Sequence, residues 1–496
     1  MVSFGSGHTV GFTWSRRSAT LHRDGSREVG RVTDNFRRPN PDNSLVTDNV
    51  VPVTLAEILS SLSVALDLVE GQPQGHAVRT CLLAMRIGEQ LGLSEHDRTR
   101  LYFASILKDA GCSNNAARVH KVFGGDEHLV KHDVKLVDWS DPVVSLKFAL
   151  GHTEVGGSIG RKLRRMLGNL APPAKIMDEV TMARCSRGAE IARSLGFDED
   201  VASAVRDLDE HWDGGGSPRH KRGEEIPMLA RLVGLAQTLE VFAAALGRDA
   251  ALDMVRDRSG RWFDPETCEA VLSLKDDPIW KRHAAFLEEG TSLLPVPEAA
   301  QQASPADSDR VCQAFAQIVD AKSAHTGEHS SRVTDYAVTL GADFGLDRVR
   351  LLELKRAALL HDIGKLGVPN GILDKPGRLT DDEFGRIKLH PMYSFRILHR
   401  IRGFERLAEI ASAHHERLDG RGYWRGLDAR RLDLEMRILA AADVFDALCA
   451  SRPYRDAMPV EKALAIMRQD AGTHLDPDCV AMLEERYLRV GLPLAA

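Results

Sequence analysis

Several things are scarce in this sequence, and each scarcity removes a class of protein. The seven cysteines, Cys81, Cys112, Cys185, Cys268, Cys312, Cys449 and Cys479, are scattered with no Cys-x-x-Cys pair. They read as reduced, mostly buried small residues of a cytosolic chain. A net charge of -6 gives no electrostatic case for a nucleic-acid backbone as partner. No apolar run approaches the roughly 20 residues of a membrane span, and the N-terminus lacks the apolar stretch of a signal peptide. A cytoplasmic chain with no membrane partner is therefore expected. From Leu55 to about Glu289 alternating β-branched runs between Gly or Pro punctuation are nearly absent, so this segment reads as all-α, the class expected of the chain.

What is present begins with length. At 496 residues the chain exceeds one ordinary core, and its 27% charged and 43% apolar content is typical of globular proteins. Residues 1–50, rich in Gly, Ser, Arg and Asn, carry no sustained period and read as a disordered leader. Helical periodicity starts at Leu55 and is clear in Leu82, Leu83, Met85, Ile87 and Leu91, opening a first helical domain over 51–289. Pro295, Pro297 and Pro305 mark a linker at 290–307. A second domain, 308–496, opens on the stripe Val311, Phe315, Ile318, Val319, with Ser308 as the expected N-cap.

The chemistry concentrates in that second domain. The apolar run Ala357-Ala358-Leu359-Leu360 ends in His361-Asp362, followed by Ile363-Gly364-Lys365. An isolated His-Asp pair reads as a buried hydrogen bond. Here the pair is joined by His329 upstream and by His390, His414-His415 and Asp443 downstream, each in its own apolar or turn context. Imidazole nitrogens mixed with carboxylate oxygens suit Mn, Fe or Zn better than Mg or Ca.

From about Asp307 onward the chain resembles the HD-GYP domain, a branch of the HD metal-dependent phosphohydrolases. The matching text includes Gly327-Glu328-His329, His361-Asp362-Ile363-Gly364-Lys365, His390-Pro391, His414-His415-Glu416, Gly420-Arg421-Gly422-Tyr423 and Ala442-Asp443-Val444-Phe445-Asp446, with Arg452-Pro453-Tyr454-Arg455 beyond. The resemblance implies two divalent metals, Fe or Mn, with a third present in some members. It implies Asp362 as the carboxylate shared by both metals. His329, His361 and Asp443 would belong to one metal, His390, His414 and His415 to the other, with a hydroxide bridging the pair. His325 stands where a third-metal Glu occurs and reads as a supporting or solvent-facing residue. Lys365 would meet a phosphate oxygen, Arg452 and Arg455 would grip phosphate or guanine, and Tyr423 would join them in binding substrate. Glu416 would orient the histidine doublet, and Thr380 with Glu383 forms a capping box for the helix expected to deliver His390. One departure stands out. Trp424 replaces the proline of the name-giving Gly-Tyr-Pro motif, which is expected to expose an indole and puts any partner contact through that loop in doubt.

The first domain reads as a decayed copy of the second. Gly75-His76-Ala77-Val78-Arg79 echoes Glu328-His329-Ser330-Ser331-Arg332, and Leu107-Lys108-Asp109-Ala110-Gly111 echoes Leu360-His361-Asp362-Ile363-Gly364. In this register Lys108 replaces His361, Leu208 and Asp209 replace the histidine doublet, and Gln237 replaces Asp443. Arg184 falls where His390 stands, in a looser alignment. A charged ammonium has no lone pair to donate, so this copy should hold no metal. The function implied is a cyclic di-GMP phosphodiesterase that opens its substrate to linear pGpG and, where hydrolysis continues, GMP. The alternatives are a catalytically silent receptor or interaction module for a cyclic dinucleotide, and a hydrolase of another cyclic dinucleotide or nucleotide. A homodimer contact or a regulatory protein is the role open to the first domain.

Overall fold

The structure, a computed structural model, describes residues 53–138, 142–153, 173–289, 303–323, 327–451 and 456–490. The expected leader at 1–50 and residues 290–302 of the expected linker lie outside them. Among the described residues every regular element is helical, as expected, and the only strand-like pairings are isolated bridges such as Ser259 with Phe263 and Ala471 with Leu475.

The internal repeat is written in hydrogen bonds as well as in letters. Helices His76–Gln90 and His329–Asp343 both start on a left-handed residue, Gly75 at φ 86 and Glu328 at φ 59. Glycine adopts that conformation freely, whereas Glu328 holds it at a steric cost beside the second copy's polar cluster. Asp67 accepts from the amides of Gly75 and Ala77 at 2.7 and 3.0 Å, and Asp320 accepts from the Ser330 hydroxyl at 2.8 Å. Glu210 receives the amides of Arg219 and Lys221, as Glu416 receives those of Arg425 and Leu427. Arg231 pairs with Asp264 at 2.8 Å and Arg437 with Asp476 at 3.0 Å. Gly111 faces the carbonyl of Arg184, and Gly364 that of His390, which fixes the looser part of the alignment.

Pro52–Ala496 forms one unit. The larger of two apolar clusters among the described residues runs through both copies, from Leu59 and Leu62 of helix Leu55–Val69 to Phe315, Leu360 and Leu366. Each such fully buried side chain contributes roughly 1.5–3 kcal/mol relative to exposure. Helix Leu55–Val69 packs on the 3-10 turn Ile363–Gly367, on His390–Leu398 and on Pro305–Asp320, so a first-copy helix lies against elements that carry the second copy's polar site.

Two readings of the sequence are corrected here. Against the expectation that no apolar run approaches a membrane span, helix Met228–Leu246, of 19 residues, is long and apolar enough to cross a membrane. Much of it is buried against neighbouring helices, and it carries the ion-paired Glu240, as a core helix does. The second copy's first helix starts at Pro305, earlier than expected. Ser304, not Ser308, is its N-cap, completing a capping box with Asp307. Ser308 is buried one turn inside.

Candidate metal centre

Helix Arg348–Leu360 starts where Asp347 accepts the amides of Val349 and Arg350, at 2.9 and 3.0 Å. Its apolar face buries Leu354, Ala357, Ala358 and Leu360. His361 caps its end with Nδ1 at 2.7 Å from the Ala358 carbonyl. A carbonyl oxygen only accepts, so the proton sits on Nδ1 and the lone pair on Nε2. The same device recurs twice. His390 Nδ1 lies 2.7 Å from the Ile387 carbonyl and His414 Nδ1 lies 2.7 Å from that of Ala411. His329 instead anchors Nδ1 on Asp446 at 2.7 Å, and Arg332 holds that same carboxylate at 2.6 Å.

The four rings thereby aim Nε2 at Asp362, and they divide between its two oxygens. Oδ2 lies 3.6 Å from His329 Nε2 and 3.4 Å from His361 Nε2. Oδ1 lies 3.3 Å from His390 Nε2 and 3.6 Å from His414 Nε2. Asp443 approaches the first pair, with Oδ1 3.4 Å from His329 Nε2, and its other oxygen is 4.0 Å from His415 Nδ1. Two donor groups result, His329-His361-Asp443 and His390-His414-His415, each with its ligand atoms within 4.8 Å of one another.

The donor set fits divalent cations on three counts. The buried atoms His329 Nε2, His361 Nε2 and Asp362 Oδ1 have no hydrogen-bond partner, a costly arrangement unless something else satisfies them. His390 Nε2 and His414 Nε2 face each other at 3.0 Å with their Nδ1 protons spent on carbonyls, so two lone pairs converge where positive charge belongs. The shifts of five of the seven groups, Asp362, Asp443, His390, His414 and His415, also suit ligation. Burial opposes the charge on Asp362 and Asp443, but Lys365 and His361 around the first, and His329 and His361 around the second, hold both carboxyls well below the usual range. Burial keeps His390 and His414 neutral, and with help from His390 it pushes His415 down to about 3. Burial also opposes protonation of His329 and His361, yet the surrounding carboxylates outweigh it and raise both. The carbonyl and carboxylate anchors on the outer nitrogens are those that fix metal-binding imidazoles in one tautomer and orientation.

Lys365, on the turn Ile363–Gly367, rests its ammonium 2.5 Å from Asp362 Oδ2 and remains partly accessible at the rim. Tyr423 also borders the site. Its amide donates to the His415 carbonyl at 3.2 Å, and its ring lies 4.7 Å from the His415 ring. Gly422 is required there because a Cβ would meet Glu416 Cα at 2.4 Å. Trp424 is not the exposed indole expected from the sequence. It packs against Phe395 at 5.1 Å, and Arg425 lies over its ring at 5.0 Å. Glu416, by accepting three successive amides, fixes the Gly-rich turn just after the doublet. Thr380 and Glu383 form the expected capping box, but helix Asp381–Ile387 ends before His390, which opens the next one, His390–Leu398. His325, Arg452 and Arg455 lie outside the described residues.

Two contributors were not singled out from the sequence. Asp446 fixes His329, and the signal was its place one turn beyond Asp443, where the first copy has Glu240 one turn beyond Gln237. Ser394 takes the Gly364 amide at 3.0 Å and donates to the His361 carbonyl at 2.7 Å, tying the His-Asp turn to helix His390–Leu398.

The first copy lacks this convergence. Lys108 places its ammonium on Asp109, and Arg184 pairs with Asp209. Glu70, Asp109 and Cys112 lie close together, but Lys135 and Lys131 reach Glu70 at 2.8 and 3.4 Å and already neutralise it. Burial raises the Cys112 thiol well above its ordinary range, so it does not offer a thiolate. These residues do not fit a metal.

Comparison with known proteins agrees with the geometry. A family model for the HD domain matches residues 174–267 and 313–479, one block in each copy. The chain belongs to the HD-domain family. It is therefore a metal-dependent phosphohydrolase by family. This HD-domain chain is 41% identical over 442 residues to 3'3'-cGAMP-specific phosphodiesterase 3 of Vibrio cholerae, covering 89% of this chain and 95% of that one. The crystal structure of a cyclic GMP-AMP specific phosphodiesterase of V. cholerae superposes with a TM-score of 0.59 at 37% identity, over 89% of this chain and 99% of that one. A cyclic di-GMP phosphodiesterase of Thermotoga maritima is 41% identical over 157 residues, 31% of this chain and 43% of that protein.

Proposed function

We propose that this HD-domain protein hydrolyses a phosphodiester bond of a cyclic dinucleotide, with 3'3'-cyclic GMP-AMP preferred over cyclic di-GMP. The observation that carries the reading is Asp362, whose two oxygens each face a separate histidine pair, the arrangement a carboxylate shared by two cations requires. His329, His361 and Asp443 would hold one cation and His390, His414 and His415 the other, Mn or Fe by the mixed nitrogen and oxygen donors. Such a pair, when bound, polarises phosphoryl oxygens and lowers the pKa of an attacking water.

The chain's own groups do the rest. Lys365 exchanges Asp362 for a non-bridging phosphate oxygen and offsets charge that grows there as the ester breaks. Tyr423 and Lys365 flank the approach, with Arg452 and Arg455 assigned to the phosphate or guanine from the sequence. Water's oxygen forms the new bond to phosphorus, the P–O3' bond breaks, and the 3' oxygen takes up a proton. The product is a linear dinucleotide with a 5'-phosphate, which is pGpG when the substrate is cyclic di-GMP.

Preference for the mixed dinucleotide follows from the extent of the relationships. Three relatives named as 3'3'-cGAMP-specific align over 442, 353 and 186 residues, the first two spanning both copies, whereas the cyclic di-GMP phosphodiesterases of Thermotoga maritima and Xanthomonas campestris align over 157 and 173 residues. The test is parallel hydrolysis of both dinucleotides by the full-length, Mn-loaded or Fe-loaded protein, followed by chromatography. The expected result is a linear product from each, with kcat/KM at least tenfold higher for 3'3'-cGAMP. Both substrates left intact, while an active homologue cleaves them in the same buffer, would refute the proposal.

A further inference from the structure

Helix Glu127–Val134 of the first copy begins with a carboxylate that crosses into the second. Glu127 is fully buried, and its Oε1 accepts the backbone amide of Asn370 at 2.8 Å while lying 3.4 Å from the ammonium of Lys322. Lys322 is itself buried, and His128 Nε2 lies 3.3 Å from its ammonium and 3.5 Å from Glu127 Oε1. Asn370 closes the triangle by donating its side-chain amide to the Lys322 carbonyl at 2.5 Å and to Asp374 at 2.9 Å. Ionised groups are taken out of water in this way only where their partners are held in place.

Each second-copy strand of the triangle leads to the metal centre. Lys322 follows Asp320, whose carboxylate receives the Ser330 amide and hydroxyl and so sets the first turn of the helix that His329 opens. Asn370 follows the turn Ile363–Gly367, which carries Lys365 and leads back to Asp362. Among the described residues the first copy has no matching node, and Val69 stands in the register of Lys322. The clamp therefore belongs to the contact between the copies and not to the repeated fold.

We propose that Glu127 is a positioning residue for the metal centre of the opposite copy: by gripping Lys322 and Asn370 together, it sets the spacing between the His329 helix and the His361-Asp362 turn. The copy without ligands thus contributes one buried carboxylate to the geometry of the copy that has them. This inference rests on the metal centre proposed above but not on the substrate.

The test is Mn2+ binding to full-length protein, read by the electron paramagnetic resonance signal of the free ion. The variants are Glu127→Ala, Glu127→Gln, which keeps an acceptor for Asn370, and Leu252→Ala, a core truncation in a helix that packs chiefly on its first-copy neighbours. Glu127→Ala is expected to weaken Mn2+ binding by about tenfold, the lower end of what outer supports of metal ligands contribute. It should also lower kcat with KM within about twofold. Glu127→Gln should stay within about threefold of the parent, and Leu252→Ala within about twofold despite a lower melting temperature. If Glu127→Ala gives no soluble protein, Lys322→Met in the Glu127→Gln background leaves no unpaired charge and should show the same tenfold loss. Mn2+ binding within twofold of the parent in Glu127→Ala, or in that double variant, overturns the proposal. So does an equal loss in Leu252→Ala. A parent protein that binds Mn2+ but cleaves no cyclic dinucleotide fails the substrate reading alone, and one that binds no Mn2+ refutes the centre itself.

Discussion

Gly364 and its counterpart Gly111 permit a paired experiment in which one perturbation is applied to an intact site and to a decayed one. A Cβ on Gly364 would lie 2.0 Å from the His390 carbonyl oxygen and 2.8 Å from the Ser394 amide. On Gly111 it would lie 1.9 Å from the Arg184 carbonyl oxygen and 2.6 Å from the Gly188 amide. Restoring ordinary contact at 3.4 Å from 2.0 Å demands a backbone separation of roughly 1.4 Å in Gly364→Ala, and about as much in Gly111→Ala. Overpacking of this kind costs about 1–3 kcal/mol, and the upper end is expected because backbone meets backbone in both cases. The consequences then diverge. In the second copy the shift moves His390 away from Asp362, now 3.3 Å apart, and a 1 Å misplacement of reacting groups costs on the order of 100-fold. In the first copy it moves Arg184, which holds no ligand position. Urea unfolding should show similar destabilisation for both variants, while kcat/KM falls about 100-fold in Gly364→Ala and stays within threefold in Gly111→Ala. Equal loss of activity in the two, or full activity in a folded Gly364→Ala, would refute the reasoning.

Three further outcomes follow from the same structure. Lys365→Met removes the only described ammonium bonded to Asp362, and it should lower kcat by about 100- to 1,000-fold with little change in KM; steady-state kinetics on 3'3'-cGAMP decide it. Burial raises the Glu127 carboxyl, but Lys322 and His128 more than offset it and leave the pKa below its ordinary value. A depressed folded pKa contributes stability above the unfolded value of about 4.3 that is lost as pH falls through the folded one. The melting-temperature gap between the parent and Glu127→Gln should therefore narrow from pH 5 to pH 3, and a gap that widens contradicts the assignment. Trp424→Pro removes the ring contacts with Phe395 and Arg425 and should cost about 1 kcal/mol in urea unfolding while kcat on the cyclic dinucleotide stays within threefold.

The helical class, the repeat and the convergence of seven histidine and aspartate side chains were legible in the sequence because each leaves a local trace. His361-Asp362 ends an apolar run, the doublet precedes a Gly-rich turn, and Lys108, Arg184 and Gln237 fall in register with the residues they replace. Contacts that depend on how helices meet left no such trace. Ser394 reads as an ordinary polar residue until the fold brings it to the His361 turn, and Asp446 shows only its place one turn beyond Asp443 until it meets His329. Glu127 reads as one acid among many on a short helix, and only the packing of one copy on the other reveals its partners 195 and 243 residues away. Trp424 looked like a loop indole because Phe395, the ring it packs against, arrives from a separate helix. Ser308 looked like a cap because it precedes the apolar stripe, but Ser304 and Asp307 satisfy the free amides one turn earlier.

The central claim is that cations sit on either side of Asp362 and none beside Asp109. Anomalous diffraction from crystals of the full-length protein soaked in Mn2+ tests it most directly. Two peaks are predicted, one among His329, His361 and Asp443 and one among His390, His414 and His415, with Asp362 between them. Peaks absent from those positions, or one lodged between Lys108 and Glu70, would contradict it.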